Sequence, residues 1–432
     1  MICNNLSVSP EGRLLFAGQD AATLLRQYGS PLYLMDEERI RLNCRTYYNA
    51  MKAAFDKAAL PLYASKACSF KELYRIAKDE GMGIDVVSSG EIYTAKAAGF
   101  PMEHAYFHSN NKTDADIAFA IEQGVGYFVA DNEDEVLAVD RIAGEKGVKA
   151  KLLLRLTPGI DTHTYEAVNT GKVDSKFGSA IETGQAEAIT KLALDRQNIA
   201  LMGFHCHVGS QVFDSDTFLR SADIMLEFIA AIRKKYGYTA IELDLGGGYG
   251  VRYKESDPTI DIAANIAEVG AFVKEKCAAL GLPLPAIRME PGRSIVADAG
   301  MTLYTVGTIK KIPGYKNYVS VDGGMSDNPR YALYRSEYTV CAAEKMKEPC
   351  DTVYDLVGRC CESGDIIQPE ISLPSSVQRG DIIAVLTTGA YNYSMASNYN
   401  RIPRLPVVML KEGTHRLVVR GESLEDLIRN DL

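Results

Sequence analysis

No stretch of about eighteen apolar residues occurs in this chain, so a membrane-spanning helix has no candidate segment. The opening residues, MICNNLSVSPEG, lack a basic run followed by an apolar one, which leaves secretion and import by a presequence unsupported. Positive charge is not in excess: 47 Lys and Arg stand against 56 Asp and Glu, with no block of like sign. That balance speaks against nucleic acid and anionic membranes as partners and favours small molecules. The nine cysteines form no CxxC pair and no disulfide-like framework, as expected in a reducing cytoplasm. HExxH and Cys-rich metal motifs are missing too, and no low-complexity linker interrupts the sequence. What is there is a 432-residue chain, 47% hydrophobic, long enough for two domains around a large core.

From about Leu60 to Pro291 one unit recurs, a short β-rich apolar run ending in polar residues and followed by a helix-like stretch rich in Ala, Glu and Lys. The runs are LPLYASKA, GIDVVS, AYFHS, GYFVAD, KLLLRL, MGFHCHV, IELDLGG and AIRMEP. Eight such alternations predict a closed (β/α)₈ barrel over residues 31–292. After Arg293 the texture changes to short β-type runs divided by turn residues. This predicts a second, mostly antiparallel β domain of residues 293–432, joined by residues 1–30, where SPEGRLLFAG reads as a strand.

In a barrel of this kind the catalytic face is built at the C-terminal ends of the strands. Those ends carry Lys66, Asp85, His108 with Asn110, Asp131, Arg155, His205 with His207, Gly246 to Gly248, and Glu290 with Arg293. An ammonium such as that of Lys66 is costly to enclose unless paired or covalently engaged, so a Schiff base would explain it; the plainer reading is a side chain that reaches solvent. Gly246, Gly247 and Gly248 expose bare N–H groups where barrels often bind phosphate, although a tight turn alone would use the same residues. His205 and His207 are two apart on a strand and begin either a metal site or a stacking platform for a flat cofactor, with Ser210 near a phosphate. The stacking reading suits His207, and His205 reads as a satisfied core histidine. In the Glu290-Pro291-Gly292-Arg293 run, a carboxylate facing a pyridine nitrogen would keep that ring protonated as an electron sink, whereas an isolated Glu–Arg pair would be structural.

Together these segments resemble the fold-type III pyridoxal-phosphate decarboxylases, and among them the diaminopimelate decarboxylase family, over nearly the whole chain. The resemblance is carried in order by YASKA, GIDVVSSGE, FHSNNKT, TPGIDTHTYEAVNTGKVDSKFG, FHCHVGSQ, LDLGGGYG, EPGRSIVA, VDGGMSDNPRYALY, CESGD and GAYNYSMASNYN. It implies pyridoxal 5′-phosphate as cofactor, carried by Lys66, with His207 on the ring and Asp85 close by. Glu290 would face the ring nitrogen, and Ser210, Gly246 to Gly248, Pro291, Gly292, Arg293 and Tyr391 would surround the phosphate. It further implies that Arg293, Arg330, Tyr334, Glu362 and Tyr391 contact the substrate and that Cys361 donates a proton; read alone, Cys361 is an ordinary thiol. The reaction implied is decarboxylation of meso-diaminopimelate to lysine by a homodimer with shared sites, in a bacterial cytoplasm. One departure stands after NYN, where this chain has RIPRLPVV in place of a more Pro-rich run.

Four rivals are distinguishable. A decarboxylase of ornithine, arginine or carboxynorspermidine would want acidic groups where Arg330 stands. An amino-acid racemase would place an arginine where Glu290 stands. A non-catalytic cofactor-binding protein has no need of Cys361 and Glu362, and a metal-dependent hydrolase would recruit His205 and His207.

Overall fold

The eight apolar runs expected to be strands are strands, and they pair in parallel around a closed barrel. The structure is a computed structural model. It describes residues 2–56, 58–160 and 175–432, so most of the TPGIDTHTYEAVNTGKVDSKFG stretch lies outside the described residues. Contacts divide the chain into two units, residues 43–250 with 259–294, and residues 1–42 with 251–258 and 295–432.

In chain order the barrel strands are Leu60–Ala64, Gly83–Val86, Ala105–Phe107, Tyr127–Ala130, Ala150–Thr157, Ile199–His205, Glu242–Asp244 and Ala286–Met289. Each pairs with the next, and the eighth closes on the first through Arg288 opposite Leu60 and Met289 opposite Pro61. These strands read as continuous apolar runs because helices cover them outside and side chains fill them inside. Leu62, Tyr106, Val129 and Leu153 form one interior cluster. Local signals set the helix ends. Thr113 and Asp116 form a reciprocal capping box at the start of Asp114–Gln123, and Asn132 caps Glu133–Glu145 through the N–H of Glu135. Gly147, at φ 67°, follows the cap residue of the latter helix in the left-handed region that a glycine adopts without strain.

The sixth strand differs from its expected extent, MGFHCHV. It begins at Ile199 opposite Ala150 and ends at His205 opposite Arg155, because pairing to the long fifth strand fixes its register. His207 therefore lies two residues past the strand end.

The N-terminal end of the barrel is plugged by polar side chains. Arg288 donates to Tyr106 Oη at 2.9 Å, to Glu242 Oε1 at 2.9 Å and to the Ala58 carbonyl at 2.6 Å, while the Tyr106 hydroxyl donates to Glu242 Oε2 at 2.8 Å. Tyr127 stacks on Tyr106 with centroids 4.3 Å apart.

The other unit is mostly antiparallel. Its main path runs Ile366–Leu373, Thr352–Val357, Lys316–Val321, Gly300–Ile312, Leu32–Asp36, Val407–Lys411 and Thr414–Val419; Ile382–Leu386 also joins Gly300–Ile312 and carries Val340–Ala342. Leu6–Val8, Leu14–Phe16 and Gln19–Asp20 make a small antiparallel sheet. Leu14, Leu32, Leu34, Leu303, Val408 and Leu410 share one core, which ties the first residues of the chain to the last strands.

Candidate active site

Lys66 sits on a single 3₁₀ turn, Ser65–Ala67, at the end of the first strand. The Ser65 hydroxyl reaches the Asp85 carbonyl at 2.8 Å and Glu91 at 2.9 Å, which holds that turn against the second strand. The Lys66 ammonium is 3.4 Å from the fully buried carboxylate of Asp85, and its own side chain is 43% exposed. An amine so placed is paired yet accessible.

A polar cluster continues from Asp85 across the mouth. His108 Nε2 lies 3.9 Å from Asp85 Oδ1 and 2.6 Å from Glu290 Oε1, and His205 Nε2 is 3.1 Å from Glu290 Oε2. The two imidazoles meet edge to face with centroids 4.8 Å apart. Burial pushes His205 down to about 4, against the pull of Glu290, so at neutral pH the ring is neutral and its Nε2–H faces the carboxylate. Burial also pushes Asp244 well above the usual carboxylate range, and Glu290 pushes it further. Glu290 goes the other way. Burial opposes its ionisation, but His108 and His205 outweigh burial and hold it well below the usual range. The two carboxyls are thus driven apart, Glu290 toward its charged form and Asp244 toward its protonated one. Sequence pattern marks the seventh strand end by its glycines, whereas the strand itself ends at Asp244; the LDL spacing was the only signal of its inward position.

The glycines form a cradle. Gly246 and Gly248 have φ of 68° and 131°. A Cβ at Gly247 would stand 2.2 Å from the Glu290 carbonyl oxygen, so the seventh and eighth strand ends approach as only bare backbone can. The Gly247 N–H donates to His207 Nδ1 at 3.3 Å. Burial, with the Lys66 and Arg155 charges, drives the His207 imidazole well down and keeps it neutral. Arg293 brings two donors to the Ser210 hydroxyl, at 3.2 and 3.0 Å. The Pro291 carbonyl accepts from Ala64 N–H at 3.0 Å and Gly292 packs on Ala64, so this run fixes the eighth strand beside Lys66. Asp131 and Arg155 face each other at 3.9 Å.

In the second unit the Arg330 guanidinium lies over the rings of Tyr334 and Tyr391, at 4.5 and 5.1 Å from their centroids. Arg330 is buried, while Cys361 and Glu362 are exposed. Glu362 is held below the usual range first by the Gly364 N–H and then by the Ser363 hydroxyl.

The barrel mouth fits a pyridoxal phosphate. Among the described residues, Asp85 Oδ1 and Glu290 Oε1 are buried acceptors without a hydrogen-bond donor. A ring N–H supplies such a donor, and the cradle with Ser210 and Arg293 suits a phosphate. One polar atom each from His108, His205, Asp244 and Glu290 lies within 4.8 Å of the others, a spacing that metal sites also use, so this grouping alone does not choose between a ring cation and a metal ion.

Comparison with known proteins does choose. Residues 40–297 match the family described as pyridoxal-dependent decarboxylase, pyridoxal binding domain. The diaminopimelate decarboxylase of Bacillus subtilis (strain 168) is 44% identical over 421 residues, which cover 98% of this chain and 95% of that protein. The chain belongs to the diaminopimelate decarboxylase family. The diaminopimelate decarboxylase of M. jannaschii, solved in co-complex with L-lysine, superposes with a TM-score of 0.90 at 31% identity, covering 99% of this chain and 98% of that one. A lysine/ornithine decarboxylase from Vibrio vulnificus, solved with cadaverine, shares the fold at a TM-score of 0.75 and 25% identity, over 90% of this chain and 97% of that one. As a diaminopimelate decarboxylase, this chain is a pyridoxal-phosphate-dependent enzyme of lysine biosynthesis. Among the described residues no helix is long and apolar enough to cross a membrane.

Proposed function

We propose that this chain removes the carboxyl group from one end of meso-diaminopimelate to leave L-lysine and carbon dioxide, acting as a cytoplasmic homodimer with shared sites. The observation that carries the reading is the convergence of Lys66, Asp85, Glu290 and the Ser210–Arg293 pair at the C-terminal mouth of one closed barrel. When bound, pyridoxal phosphate accepts the electron pair that carbon dioxide leaves behind at Cα. The protein's own residues do the rest. Lys66 would anchor the cofactor, and Asp85, 3.4 Å away, balances the charge of the Lys66 amine. Glu290 holds a proton on the ring nitrogen, and His207 serves the ring face. Gly246 to Gly248, Ser210, Pro291 to Arg293 and Tyr391 hold the phosphate.

Arg330, Tyr334 and Tyr391 would contact the substrate, with Arg293 adding a second guanidinium. Two guanidinium groups suit the distal carboxylate of a second amino-acid head group, and Glu362 suits its ammonium. Ornithine and arginine have no distal carboxylate. Cys361 returns a proton from its thiol to Cα, completing the exchange of CO₂ for H.

The deciding measurement is CO₂ release from meso-diaminopimelate, L-lysine, L-ornithine and L-arginine, by the wild type and by Lys66→Ala, each with added cofactor. Release from diaminopimelate alone, abolished in the variant, is expected. Release from ornithine or arginine instead would overturn the roles of Arg330 and Glu362, and none from any substrate would favour a non-catalytic cofactor binder. Mixing inactive Lys66→Ala with slowed Cys361→Ala should raise turnover above that of Cys361→Ala alone if sites are shared, and not if each chain works alone.

A further inference from the structure

The loops that carry Arg330, Cys361 and Tyr391 are joined to one another by side chains that the reaction itself does not use. Asp365, only 4% exposed, lies between the first two loops. Its Oδ1 accepts from Met325 N–H at 2.6 Å, and its Oδ2 accepts from Cys360 N–H at 2.7 Å. Its carbonyl accepts from Gly358 N–H at 3.1 Å, and the Arg359 N–H donates across to the Gly323 carbonyl at 2.9 Å. A Cβ at Gly324 would stand 2.6 Å from Oδ1 of Asp365, and one at Gly358 2.3 Å from Oδ2 and 2.4 Å from the Cα of Gly324. The two turns and the carboxylate fill one space. The next N–H, that of Cys361, donates to Asn400 Oδ1 at 2.7 Å, and Asn400 stands at φ 52° on the third loop. The Ser397 N–H closes the circuit on the Ser326 carbonyl at 2.8 Å.

This wiring is more specific than packing requires. Both oxygens of Asp365 accept from backbone N–H groups of different loops, which only a carboxylate does; an asparagine would turn an NH₂ against one of them. Burying a carboxylate among neutral donors is costly, so its presence needs a reason beyond filling the volume. Consecutive N–H groups, those of Cys360 and Cys361, are each taken by a different side chain, and that removes the rocking freedom of the backbone under the Cys361 thiol.

We infer that Asp365 and Asn400 are positioning residues for proton return: they hold the backbone of Cys361 at a fixed place relative to the Arg330 loop. The inference rests on the role given above to Cys361. A thiol displaced by about 1 Å loses roughly ten- to a hundredfold in rate.

The test measures kcat and KM for meso-diaminopimelate in the holoenzyme. Asp365→Asn is made in the wild-type chain and in a Cys361→Ala chain, beside Asn400→Gly, which keeps the left-handed turn but removes the acceptor, and Asn400→Asp, which keeps both. Expected are a fall in kcat of about tenfold or more for Asp365→Asn and Asn400→Gly, its disappearance in the Cys361→Ala background, and recovery in Asn400→Asp. An equal fall in both backgrounds, or wild-type kcat in Asn400→Gly, would overturn the inference. If Asp365→Asn does not fold, the exposed Asn400 pair decides alone. Wild-type kcat in Cys361→Ala itself is a different result, and it would sink the role of the thiol instead.

Discussion

His108 Nε2 stands 2.6 Å from Oε1 of Glu290, both side chains buried at the mouth of the barrel. With His205 on the other oxygen, this contact keeps Glu290 ionised where burial would neutralise it. Glu290→Gln keeps the shape and removes the charge. Its kcat for diaminopimelate should fall by about a hundredfold or more, with the cofactor still retained on dialysis. Near-normal turnover would show that the charge is dispensable.

The cradle makes a second prediction, about affinity. Arg293→Lys exchanges a two-pronged donor at Ser210 for a point charge. Losing one charge-assisted hydrogen bond should raise the cofactor Kd by about tenfold or more. Spectroscopic titration of apoenzyme with pyridoxal phosphate reads this directly, and an unchanged Kd would place Arg293 outside the phosphate site.

At the opposite end of the barrel the expected effect is on stability. Arg288→Met strands the buried Glu242 carboxylate and should lower unfolding free energy by about 3–5 kcal/mol, without altering KM in the protein that remains folded. Urea titration measures it. Adding Glu242→Leu should recover most of the loss; if it does not, the network stabilises by geometry and not by charge balance.

Glu37 yields a pH prediction. Its carboxylate is 1% exposed and meets Lys411 at 2.9 Å, Arg416 at 2.8 Å and Arg41 at 2.8 Å. Burial works against the charge, but these three cations win and bring the group down to about 2. The folded value lies below the unfolded one, so the stabilisation is fully present above the ordinary glutamate range near 4.5 and is lost as pH falls through about 2. Glu37→Gln should therefore be less stable than wild type at pH 7 by up to about 3 kcal/mol. The gap should close on acidification from about 5 to 2, and a gap independent of pH would exclude the charge as its source.

The barrel was legible because parallel strands buried on both faces read as apolar runs, and because strand ends are where polar residues stand out. Lys66, His207, the glycines and Glu290 were visible for that reason. The grip on Glu290 was not. It joins residues 108, 205, 244 and 290, whose meeting depends on barrel closure and on side-chain direction, and Asp244 is hidden behind the glycine run that follows it. In the other unit, antiparallel short strands were evident, but their order was not, since Leu32–Asp36 lies between Gly300–Ile312 and Val407–Lys411. Local pattern carries no information about partners so distant.

That placement of Leu32–Asp36 bears on how the chain is born. On the ribosome all eight barrel strands emerge before Val407–Lys411 exists, so the barrel can close while the much earlier strand still lacks a neighbour. An apolar strand with open edges invites pairing with other chains. Translation that stops short of Val407 therefore releases a chain with a finished barrel and an adhesive edge, and such fragments are expected to aggregate through Leu32–Asp36.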